Sequence, residues 1–127
     1  MLELERLDFG AAPVREVCAL VIDGRNAMRD ALARYEGRAS RKLVAVLRWL
    51  AEYAVPPREH SFRHPGEQVY EVREHTIPLR LFCFIQGGRV VVCTHVTKKP
   101  GKRQLRNEIE KVKQLRVRCL REGVLSD

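Results

Sequence analysis

Apolar and polar residues change rhythm along this chain in a way that marks out its elements. "REVCALVID" (15–23) is a short, nearly continuous apolar run ended by Asp23 and Gly24, and it predicts a first strand. From Ala27 the spacing turns helical: Ala27, Met28, Ala31, Leu32 and Tyr35 share one face, and Gly37 stops the pattern. A second helix is predicted to start at Ser40, a residue suited to capping. It places Leu43, Leu47, Leu50, Ala51 and Ala54 on one face before Pro56 and Pro57 end it. The two helices form a hairpin with one apolar side, and that side needs a sheet to cover it.

The second half supplies the sheet. "QVYEVREH", "LRLFCFI" and "RVVVCTHV" are β-prone runs joined by short turns, and Gly87-Gly88 is a hairpin signal because both positions accept φ > 0. After Pro100 and Gly101 a last helix aligns Leu105, Ile109, Val112, Leu115 and Cys119. The order predicts one α+β domain over residues 1–127: an antiparallel sheet of about four strands packed against the helical hairpin, with a C-terminal helix.

Register follows from the turns. A two-residue loop at Gly87-Gly88 sets Gln86 opposite Arg89, Arg80 opposite His95, and Cys93 opposite Phe82, on the other face from Cys83. A four-residue loop at 75–78 sets Arg73 opposite Arg80. Arg73, Arg80 and His95 are then expected side by side on one face. Like charges facing each other cost up to about 1 kcal/mol per pair. A bound phosphate offsets that cost, since arginine's planar fork matches phosphate oxygens. Pairing with Glu71 or Glu74 on a solvated face offsets it equally well.

Composition and charge narrow the class. The 127 residues are 45% apolar and 31% charged, enough for a core without disulfide or metal and too hydrophobic for disorder. No run of 18 apolar residues occurs, and "MLELERLDFG" has neither the basic start nor the apolar core of a signal peptide, so a cytoplasmic location and no membrane partner are expected. Cys18, Cys83, Cys93 and Cys119 lie in apolar segments and read as buried free thiols. The formal charge is +8, and residues 98–121 carry it: ten Lys or Arg against Glu108 and Glu110. A positive field so concentrated attracts polyanions, nucleic acid above all. Local pairs of Glu108 with Lys111, and of Glu110 with Arg106 or Lys113, leave most of those cations unpaired.

The string "VYEVRE", then "PLRLFCF", a Gly-Gly hairpin and "VVVCTHVTKKPGKRQLRNEIEKV", over residues 69–113, resembles the RelE/HigB superfamily of bacterial and phage toxins. The resemblance implies a RelE-like α+β ribonuclease of a toxin–antitoxin pair. Such an enzyme cuts mRNA, often at the ribosome, and is neutralised by a tightly bound antitoxin, here expected as a small helix-turn-helix protein in a hetero-oligomer. Arg73 matches the arginine of the first signature strand, Arg80 that of the second, and Lys98 and Lys99 the paired lysines. Family members use such groups to bind and polarise the scissile phosphate without a metal. The carboxyl-terminal "LREGVLSD" departs from the pattern, lacking the Tyr or His of ribosome-dependent members. That departure keeps open a non-catalytic ParE-like toxin or a basic nucleic-acid-binding module.

Metal-free RNA cleavage needs a base for the 2′-hydroxyl, a donor for the leaving oxygen, and cations for the phosphoryl charge. Arg73, Arg80 and Lys98 suit the last role. For proton transfer the candidates are His95, which the nearby arginines should hold neutral, and Glu71, on the same strand face as Arg73. Lys99, Lys102, Arg103 and Arg106 are candidate RNA-binding residues, with Arg63 and His64 in a second basic loop beside Arg58 and His60. His60 and His64 are four apart, but prolines make this segment read as loop, so no metal or other cofactor is expected. Trp49, Phe82 and Phe84 read as core.

Overall fold

A computed structural model describes residues 1–8, 14–35, 37–52, 60–66, 68–74 and 76–125, with residues 60–66 and Glu74 as backbone alone. The elements are β1 (Leu2–Leu7), β2 (Glu16–Ile22), β3 (Arg25–Asn26), α1 (Ala27–Arg34), α2 (Arg38–Glu52), β4 (His60–Gly66), β5 (Val69–Glu74), β6 (Leu79–Gln86), β7 (Val90–Lys98) and α3 (Lys102–Arg121). Among the described residues no helix is long and apolar enough to cross a membrane.

Helix α1 begins where Asn26 caps it. The Asn26 side chain accepts from the Arg29 amide at 3.0 Å and donates to Glu5 Oε2 at 2.7 Å. Glu5 also pairs with Arg29, so β1 ties down the start of the helix. In α2, Leu43, Val46, Leu47, Trp49, Leu50 and Ala51 are buried at helical spacing. All but Leu43 pack with Met28 of α1 against Val72, Leu81, Cys83, Ile85, Val91 and Cys93, and Leu43 packs with Ile77 and Leu79. Helix α3 covers the opposite face with Leu105, Ile109, Val112, Leu115 and Cys119, against Leu20, Val69, Phe82, Phe84 and Val92. Strand β6 is therefore buried on both sides, which explains why "LRLFCFI" does not alternate.

The expected α+β class, helical hairpin and C-terminal helix are present, and the sheet is larger than expected. It has seven strands in the order β1-β2-β7-β6-β5-β4, with β3 on β2. It is mixed: β2 runs parallel to β7, because the helical hairpin carries the chain across the sheet between them. Two edge strands were not anticipated. β1 is one, and β4 replaces the basic loop expected around His60 and His64. An edge strand tolerates Pro65, which lacks an amide to donate. Residues four apart on a strand are about 13 Å apart, so extended backbone removes the helical metal spacing of His60 and His64.

Register in the β6–β7 hairpin differs from expectation in two steps. The turn takes three residues, so Gln86 faces Val90 rather than Arg89, although Gly87 and Gly88 do adopt positive φ (61° and 70°). A bulge at Thr94 then shifts the pairing once more. Between turn and bulge the slip is one residue, so Cys83 faces Cys93 on one sheet face instead of lying across from it. Beyond the bulge the slip is two, so Phe82 faces His95 and Arg80 faces Thr97. An even slip keeps His95 and Arg80 on the same face while separating them along the strand.

All four cysteines are free and buried. Burial pushes the Cys83 thiol up to about 12 and those of Cys18 and Cys119 to about 11, and raises Cys93 as well. We expect the native protein at neutral pH to resist thiol reagents and all four thiols to react on unfolding. Rapid labelling of the native state would contradict this packing.

Candidate functional site

Two rows of side chains cross the α3 face of the sheet. In the first, Glu71 of β5, Phe82 of β6 and His95 of β7 are direct neighbours; in the second, Arg73, Arg80 and Thr97. The expected facing of Arg73 and Arg80 is present. His95 lies in the adjoining row, not beside Arg80. Arg80 is 8% exposed and donates from Nη1 to the Leu79 carbonyl at 2.9 Å, which fixes its fork near the strand end. The Thr97 hydroxyl, third in the row, is shielded from solvent and has no hydrogen-bond partner among the described residues. An orphaned buried hydroxyl facing Arg80, in one row with Arg73, suits a bound anion.

The Thr94 bulge organises the other row. His95 stacks on Phe82 with centroids 4.9 Å apart and rings within 10° of parallel. Its Nε2 meets Glu108 of α3, and its Nδ1 lies 2.8 Å from Thr94 Oγ1, nearer than the Phe82 carbonyl at 3.2 Å. Glu108 thus pairs with His95 rather than with Lys111. Burial is the largest influence on His95 and lowers its pKa; Lys111 acts in the same direction and Glu108 opposes. The neutral form was expected, but burial outweighs nearby cations as its cause, and the cation that contributes is Lys111. A neutral ring consistent with both contacts donates from Nε2–H to Glu108 and accepts from Thr94. Because the unfolded chain protonates near 6.5 and the native ring only at lower pH, unfolding takes up protons and stability falls as pH drops below about 6.5. His95→Gln should flatten that slope in melts between pH 7 and pH 5. An unchanged slope would show that His95 is not desolvated.

The β7–α3 corner carries the excess charge. Lys98, Lys99, Lys102, Arg103 and Arg106 are all exposed and form no ion pair with a described residue. Lys98 pairs with Leu79, whose side chain packs with Leu43 on the helical-hairpin side, so Lys98 rises on the face opposite Arg73 and Arg80. Arg63 sits opposite Glu71 through its backbone. The side chains of Arg63 and His64, and all of Arg58, lie outside the described residues. Reading the sequence alone missed Thr97, Glu108 and the bulge. Thr97 was recognisable as two residues beyond His95, but its placement beside Arg80 depended on a register no turn signal revealed.

A basic α+β protein with a mixed sheet between a helical hairpin and a cationic C-terminal helix has the RelE-like architecture of small toxins. Residues 30–117 match the family described as phage-derived protein Gp49-like (DUF891), and the chain belongs to that family. It is a family of RelE/Gp49-type toxins, for which an antitoxin partner is the general rule. No curated protein matches the chain.

Proposed function

We propose that the protein is a toxin that acts as a metal-independent mRNA endoribonuclease of the RelE/HigB kind, in the cytoplasm and on ribosome-bound message. The facing of Arg73 and Arg80, beside the orphaned Thr97 hydroxyl, carries this reading. In it, both guanidinium groups hold the phosphoryl oxygens and Thr97 adds a donor. Glu71, in the adjoining row, takes the 2′ proton as the 2′-oxygen attacks phosphorus. The bond to the 5′-oxygen breaks, that oxygen takes a proton from water, and a 2′,3′-cyclic phosphate and a 5′-hydroxyl remain. His95 has both ring nitrogens engaged and holds α3 over the sheet; it serves as base only when the Glu108 contact opens. Lys98, Lys99, Lys102, Arg103 and Arg106 bind flanking phosphates, and Arg63 and His64 are further RNA-binding residues in this reading.

Protein with reduced thiols should cut mRNA in a translating extract without added metal and arrest growth when expressed without its partner. Intact message together with normal growth would refute the proposal. The burial of Glu71 and His95 favours a second reading as a non-catalytic ParE-like toxin or nucleic-acid-binding module. Mapping RNA 5′ ends after induction separates them, because a nuclease alone leaves new internal ends. In either case a helix-turn-helix antitoxin with an acidic segment would complement Lys102, Arg103 and Arg106 of α3, which form no ion pair with a described residue, in a hetero-oligomer.

A further inference from the structure

A concave site lies where β2 and β7 part, beside Lys111 of α3. Strands β2 and β7 run parallel only from Glu16–Ala19 against Val90–Cys93. At the Thr94 bulge they part: β7 follows β6, while the end of β2 turns through Asp23-Gly24 and pairs with β3. From β2 the chain enters α1 on one face of the sheet, and from β7 it enters α3 on the other. Such a divergence beyond the carboxyl ends of parallel strands leaves a crevice, the place where α/β sheets bind ligands. Here it is a cavity of about 380 Å³ lined by Leu20, Ile22, Asp23, Arg25, Ala27, Asp30, Thr94 and Lys111, within the size range of small-molecule sites.

The polar groups of the cavity divide into used and unused. Asp23 takes the amino terminus of Met1, and the Thr94 hydroxyl is engaged by His95 and the Phe82 carbonyl. Arg25, Asp30 and Lys111 are exposed and have no ion-pair partner among the described residues. A carboxylate and two cations thus surround an apolar floor of Leu20 and Ile22. A purely anionic ligand would meet Asp30, and a purely cationic one would meet Arg25 and Lys111. A flat ring with paired donors on one edge and acceptors on another satisfies all three. Guanine has that pattern: N1–H and N2–H₂ suit a carboxylate, O6 and N7 suit arginine, and its phosphate suits lysine. Adenine offers only the N6 donors.

The geometry points to this crevice as a pocket for an unpaired guanosine of the RNA, held by Asp30, Arg25 and Lys111. The inference deepens the ribonuclease reading and rests on it for the source of the base. Arg80 pairs with Thr97 of β7, and Thr94 of the crevice lies three residues back along the same strand, about 10 Å. One strand of RNA running along β7 would reach both.

The test is calorimetric titration of the full chain with 5′-GMP, 5′-AMP and 5′-CMP, with NMR shifts followed at Thr94 and Lys111. GMP is expected to bind about tenfold more tightly than AMP, a difference typical of one bidentate contact. Asp30→Asn should erase that preference, and Lys111→Met should weaken all three nucleotides about tenfold. No nucleotide binding, shifts confined to the Arg73–Arg80 row, or a GMP preference unchanged in Asp30→Asn would overturn the inference. So would a crevice that ignores nucleotides and takes up a short peptide instead. GMP binding by a protein that leaves RNA intact would sink the ribonuclease reading and not the pocket; RNA cleavage with no guanine binding would do the reverse.

Discussion

Arg80→Ala is expected to lower RNA cleavage by about 10² to 10³-fold, the usual loss when one preorganised donor to transition-state charge is removed, and to relieve growth arrest. Arg80 sits at the centre of the row, between Arg73 and Thr97, with its fork held by the Leu79 carbonyl. Arg80→Lys keeps the charge but loses the fork, so it should recover only part of the activity. Circular dichroism of both variants should match the wild type. Lys98→Ala provides the contrast, because Lys98 projects from the other face. It should weaken RNA binding evenly across sequences, with a salt slope smaller by about one. Equal cleavage by Arg80→Ala and the wild type would remove the row from the mechanism.

Phe82→Ala should destabilise the fold by about 3 to 5 kcal/mol in urea titration, as large-to-small core changes do. Phe82 has no exposed surface, packs under α3 on the β6 side of the sheet, and stacks on His95. Truncation leaves a void where strands β6 and β7 meet the helix and removes the surface that orients the imidazole. The second effect separates this site from an ordinary core position. Phe82→Leu, which keeps most of the volume, should cost less in stability yet still loosen the His95–Glu108 contact. A loss below 1 kcal/mol for Phe82→Ala would mean that α3 does not pack as described.

How far the sequence led can be judged at these same positions. Helices α1, α2 and α3 and strands β2, β5, β6 and β7 follow from apolar periodicity and Gly or Pro punctuation, and the facing of Arg73 and Arg80 follows from the length of one turn. Strand β4 was hidden because Pro65 and Gly66 look like loop residues, although an edge strand accepts both. Strand β1 alternates Leu2 and Leu4 with Glu3 and Glu5, a pattern too short to declare a strand without the β2 partner that satisfies its backbone. The parallel β2–β7 pairing depends on a crossover that local pattern does not encode. The bulge is the deepest omission. A threonine in a β-branched run carries no bulge signal, yet the bulge there returns His95 to the α3 face, where it meets Phe82 and Glu108. Those contacts are long-range in sequence, so they emerge only when α3 folds back over the sheet.

The central claim is that Arg73, Arg80 and Thr97 hold a phosphate of RNA while its own 2′-oxygen displaces the 5′-oxygen. The most direct measurement is the chemistry of the ends left on a defined mRNA incubated with the protein and ribosomes in the presence of a chelator. We predict new fragments bearing 2′,3′-cyclic phosphate and 5′-hydroxyl termini, absent with Arg80→Ala. Uncut RNA, or fragments bearing 5′-phosphate termini, would contradict the account.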